Sequence, residues 1–159
     1  MTPVSASRTR AFLFLGGTMP ELPMYRSEAE IEEVIRRLES CECSPADFGH
    51  GQHLAVAAWY ILKFGPGAAA GKMRESLLRY TTFHGRNRYH ETITLFWLRA
   101  VELHAREMRD ATDLVEIVNG VVAALGDKSL ISRHYSAEKI ASAEAKANWT
   151  EPDLAPLPT

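Results

Sequence analysis

His50-Gly51-Gln52-His53-Leu54-Ala55-Val56-Ala57-Ala58-Trp59-Tyr60-Ile61-Leu62-Lys63 is the stretch on which the fold turns. From Leu54 to Leu62 apolar residues fall on every side of a helical wheel, so a helix here has no face to give to water. Such a helix belongs in the middle of a bundle, covered all round. Gly65-Pro66-Gly67 ends it.

Working outward, Ser27 and Glu30 form a capping box ahead of Ile31, Val34, Ile35 and Leu38, which predicts a first helix over about 28–40. Ser44-Pro45-Ala46-Asp47 is a second start signal, with Gly49 and Gly51 set to break that turn from the central helix. A third helix is expected from about Ala68 to His84, with Met73, Leu77 and Tyr80 on one face and Gly85 as its stop. A fourth opens near Tyr89-His90-Glu91 and runs to about Arg109, and a fifth covers Leu114 to Leu125 after Thr112-Asp113. Ser136 caps a last helix through about Ala147. The proline-rich tail from Glu151 to Pro158 cannot be helical and should lie extended on the surface.

Residues 1–26 hold Pro3, Pro20, Pro23 and Gly16-Gly17 without helical periodicity, and read as an N-terminal arm, partly disordered, with a short extended piece at Phe12–Leu15. The folded domain is expected over 27–159. No segment pairs period-two alternation with hairpin turns. The expectation is therefore an all-α protein: a compact bundle of five to six helices, mostly antiparallel neighbours, with an irregular arm and an extended tail.

Composition narrows the partners. The chain of 159 residues is 46% hydrophobic and 24% charged, with a net charge of −2 and no Lys/Arg-rich run. That argues against nucleic acid, whose binders usually show a basic face. Arg8 and Arg10 before Ala11–Leu15 resemble the opening of a signal peptide, but the apolar run is too short, and no stretch nears the roughly 20 apolar residues that span a bilayer. A cytoplasmic location, no membrane partner and a homo-oligomer as an open possibility are the expectations. Cys41 and Cys43 sit too close for a disulfide framework and read as two thiols at a helix end.

Short connections make consecutive helices antiparallel, so the second helix begins where the third ends and the fourth begins. His50 and His53 open the second, His84 closes the third, and His90 and Glu91 open the fourth. Four of the six histidines should therefore meet at one end, with Cys41, Cys43 and the loop before His134 nearby, while His104 falls at the other. Three chemistries fit this cluster. His50, His53, His84 and His90 are candidate ligands for a divalent transition metal (iron, manganese or zinc), with Glu91 as ligand or general base. A His/Glu pair could instead act as acid and base without metal. The residues could also simply cap helix ends and satisfy buried backbone groups. Arg86 and Arg88 precede the fourth helix, where free amides and the dipole favour the carboxylate or phosphate of a small-molecule ligand. Trp59, Trp97, Tyr60 and Tyr80 stand at helical spacing and read as core.

Phe48-Gly49-His50-Gly51-Gln52-His53-Leu54, His84-Gly85, Tyr89-His90-Glu91-Thr92 and Glu151-Pro152-Asp153-Leu154-Ala155-Pro156-Leu157-Pro158 resemble a family of small uncharacterised bacterial all-helical proteins, over about Ser27 to Pro158. The resemblance implies a pattern and no activity. Two departures touch the cluster: Gly49 stands where a hydroxyl residue is expected, and the loop from Gly85 to Tyr89 is short. Metal binding supporting hydrolytic or redox chemistry is thus the first expectation. A non-catalytic bundle that binds a small ligand or a protein partner, its histidines structural, is the alternative.

Overall fold

In a computed structural model, which describes residues 21–108 and 110–157, the apolar stretch is helix α2 (His50–Phe64), and it occupies the centre. Leu54, Ala55, Val56, Ala57, Ala58 and Tyr60 are all buried. Helices α1 (Glu28–Glu39), α3 (Pro66–Phe83), α4 (Glu91–Glu107) and α5 (Leu114–Leu125) each pack against it. Every regular element among the described residues is helical. The fold is an all-α bundle. The arm's predicted extended piece at Phe12–Leu15 lies outside the described residues.

Local chemistry sets the boundaries. Ser27 caps α1, its hydroxyl accepting from the Glu30 amide at 3.3 Å, while Glu30 accepts from the Arg26 amide at 2.7 Å. Helix α3 starts at Pro66, two residues before the expected position, because proline at a first helical turn lacks only an amide that would have no partner. Gly65, at φ 84, makes the corner between α2 and α3. Only glycine adopts that conformation cheaply. The Tyr60 hydroxyl reaches Glu39 at 2.8 Å and Ser76 at 2.9 Å, tying α1, α2 and α3 together at a buried point.

Two features were not expected. The last predicted helix is broken at Ser142 into α6 (Ala137–Ala141) and α7 (Ala143–Ala147). Ser142 is extended, and its hydroxyl accepts from the Ala145 amide at 3.1 Å as the cap of α7. In a continuous helix the Ile140 carbonyl would take the amide of Glu144; the break frees it for the ring of His90. The second feature is that the packed chain reaches back past Ser27. Tyr25 is buried in the core, and Asn119 on α5 clasps its backbone, accepting from the Tyr25 amide at 2.9 Å and donating to its carbonyl at 2.8 Å. Pro23 crosses α2 so closely that a Cβ on Gly51 would sit 2.4 Å from its ring. Gly51 is what lets this strap pass.

The tail is not helical, bends at residues 153–155, and is bonded in place. Asp153 accepts from the amide and hydroxyl of Ser136, Tyr135 donates to the Thr150 carbonyl at 2.7 Å, and Thr92 on α4 donates to the Asn148 carbonyl at 2.7 Å. No helix among the described residues is long and apolar enough to cross a membrane.

Asn119→Ala should therefore cost about 1–3 kcal/mol, since two part-buried backbone groups of Tyr25 lose their partners together. Urea unfolding of parent and variant measures the loss. A chain beginning at Ser27 should lose at least as much, whereas one beginning at Glu21 keeps the clasp. Equal stability of the Ser27 and Glu21 chains would show that the strap contributes nothing.

Candidate functional site

Because α2 begins, α3 ends and α4 begins at one end of the bundle, His50, His53, His84 and His90 all line one cavity of about 530 Å³. Sharing a cavity is as far as their likeness goes.

His90 is the N-cap of α4. Its Nδ1 accepts from the Ile93 amide at 3.1 Å, and its Nε2 lies 2.8 Å from the Ile140 carbonyl. An amide donor on one side and a carbonyl acceptor on the other fix the Nε2–H tautomer and occupy both nitrogens. His50, the first residue of α2, bonds through Nε2 to the Leu125 carbonyl at 3.0 Å, at the C-terminal end of α5, and its ring meets the edge of Trp97. Burial lowers its pKa, with the positive charge of Lys128 also acting downward.

His53 stands one turn further along α2. Neither of its ring nitrogens meets a protein partner among the described residues, and the ring lies 4.5 Å from that of Phe48. Burial, then the neighbouring His50, push its pKa down to about 4, so the imidazole is neutral at physiological pH. His84 ends α3 against the rings of Tyr80 and Phe83, and its buried Nε2 has no hydrogen-bond partner among the described residues.

Glu91 is held apart from the cavity. The Arg74 guanidinium binds its carboxylate through both Nε and a terminal nitrogen, and the Tyr89 hydroxyl donates to its other oxygen. Arg74 holds its pKa below the usual carboxylate range despite burial. No Asp or Glu lines the cavity among the described residues. The cations do: Arg86 and Arg88 from the connection into α4 and Lys128 beyond α5 are exposed at its rim, and none of them makes an ion pair among the described residues. Deeper in, the lining is apolar, with Ala57 from α2, Met73 and Leu77 from α3, and Leu98 from α4.

Lys128 was not singled out from the sequence, although a signal existed. The fifth helix must end beside the histidines, and Lys128 follows its stop at Gly126 by two residues. Cys41 and Cys43 are buried at this end but outside the lining, where the Cys43 carbonyl accepts from Tyr80. His104 lies in the last turn of α4 beside Glu107, at the opposite end. His134 lies 3.1 Å from the Ala155 carbonyl and holds the tail. At the expected departure, Gly49 is the N-cap of α2 without a side chain to cap it, and its amide donates to Gln52 at 3.0 Å instead.

No group of three or more His, Cys, Asp or Glu among the described residues is arranged to hold a metal ion. Compared with known protein families, with curated proteins and with solved structures, the chain matches none.

The state of His53 gives a pH signature. Its folded pKa lies below the unfolded value, so as pH falls from about 6.5 towards 4 the unfolded chain takes up a proton that the folded chain refuses. Stability present above about pH 6.5 is lost across that window. In urea unfolding at pH 7.5 and 4.5, the parent should lose about 2–3 kcal/mol more than His53→Phe. Equal losses would mean that His53 ionises in the folded protein as it does in water.

Proposed function

We propose that this bundle binds a small apolar molecule carrying an anionic group, body in the cavity and charge at its rim. One observation carries the reading: an apolar cavity of about 530 Å³ is rimmed by Arg86, Arg88 and Lys128 and lined by no carboxylate among the described residues. A volume of roughly 300–1,000 Å³ with few convergent polar groups is usual for a small-molecule site. A basic rim also speeds the approach of anions. In this reading His90 and Glu91 hold the architecture, and His50 pins α2 to α5.

A divalent transition metal is the second reading, and His53 is the observation that favours it. A neutral imidazole free of protein partners is the form a metal takes. The difficulty lies with its neighbours: His90 has both nitrogens engaged, His50 has one, and Glu91 is paired with Arg74. A metal here would need further ligands from water or substrate, and could then support hydrolytic or redox chemistry.

Thermal unfolding separates the two. Decanoate at a hundredfold excess over Kd should stabilise the protein by about 2.7 kcal/mol. 1-Decanol, with the same tail and no charge, should do less, and Arg86→Ala with Arg88→Ala should remove the difference. Stabilisation by manganese, iron or zinc that fades below about pH 6 and vanishes in His53→Ala, with no response to decanoate, would replace the anion reading with the metal one.

A further inference from the structure

The cavity has height as well as volume, and its polar groups stand at different levels. Arg86, Arg88 and Lys128 are exposed at the rim, and His50 opens α2 at that end. Along α2, with a rise of about 1.5 Å per residue, His53 lies about 4.5 Å below His50, and Ala57 about 6 Å below His53. His53 and Ala57, four residues apart, share one face. Below His53 the lining turns apolar, with Ala57, Met73 and Leu98.

His53 is therefore a hydrogen-bonding side chain directly above an apolar stretch of the lining, which also carries the hydroxyls of Thr81 and Thr94. A purely apolar ligand would cover its nitrogens without replacing their bonds to water, which is unfavourable. His50 and His90 have their carbonyl partners; His53 has none among the described residues.

We propose that the cavity selects acids that carry a hydroxyl a few bonds from the acid group and an apolar tail beyond it, medium-chain 3-hydroxy carboxylic acids being the representative class, with His53 bonding the hydroxyl. The order of the groups commits the class. With the carboxylate at the arginines, a hydroxyl near the acid group faces His53, one turn inside the mouth of α2, and the tail continues towards Ala57, Met73 and Leu98. The neutral imidazole serves such a hydroxyl as donor or as acceptor. This proposal rests on the anion-binding reading above and adds what that reading leaves open, which is how one apolar acid is told from another. A site built to bond a hydroxyl discriminates well against the analogue that lacks it, because the site's own polar group is then left unpaired.

Calorimetric titration with 3-hydroxydecanoate and decanoate, below their micelle-forming concentrations, tests it. The parent should bind the hydroxy acid about tenfold more tightly. His53→Phe should erase that preference while still binding decanoate, and His53→Gln, which keeps a donor and an acceptor, should retain part of it. Should His53→Phe fail to melt cooperatively, His53→Leu takes its place. Arg86→Ala should weaken both acids alike and leave their ratio unchanged. Equal affinity of the parent for the two acids, or a preference that survives in His53→Phe, overturns the role of His53 while the anion site stands. Binding of neither acid removes the anion site and this proposal with it.

Discussion

Helix α2 is apolar on every side from Leu54 to Leu62, and the rest of the chain is arranged around that constraint. Leu54 and Val56 are wholly buried, each with a gain of about 1.5–3 kcal/mol on leaving water, so a position on the surface is closed to this part of the helix. α1, α3, α4 and α5 surround it, and the small residues Ala55, Ala57 and Ala58 let them come close. At the cavity end, the first turn, where Gly49, His50, Gly51, Gln52 and His53 replace the apolar run, has polar groups to offer.

At that end the polar residues divide by what the backbone demands of them. Every helix start leaves amides without intrahelical partners, and His90 answers one of them with Nδ1. Its other nitrogen reaches a carbonyl that exists as a free acceptor because α6 stops before α7. Glu91, buried at the start of α4, is neutralised by Arg74 and Tyr89. A buried carboxylate without such partners would be costly, so the pairing follows from the position. His53 and the Nε2 of His84 are left over, along with the rim cations, and these residues give the cavity its chemical character.

Much of this was legible beforehand, and the reasons are local. Ser27, Gly85, Asp113 and Ser136 mark helix ends through bonds within a few residues of themselves, and the structure uses each of them. The meeting of the four histidines needed only the additional rule that short connections join antiparallel helices. The strap was missed because Pro23 and Tyr25 have no periodicity. Their partners, Gly51 and Asn119, are far away in sequence, and a glycine that makes room for another segment looks like any helix-weakening glycine.

The sequence by itself determined the first five helices, their order, the central place of α2 and the convergence of His50, His53, His84 and His90, because apolar periodicity, caps and connection length all act over a few turns of chain. Tertiary structure alone decided which of those side chains is free. The Ile140 carbonyl that occupies His90 is 50 residues away, the Leu125 carbonyl that holds His50 is 75 away, and Arg74 reaches Glu91 across 17. Hydrogen bonding at an imidazole or a carboxylate depends on whichever donor or acceptor the packing brings within about 3 Å. Such a meeting leaves no periodic trace in the chain that makes it.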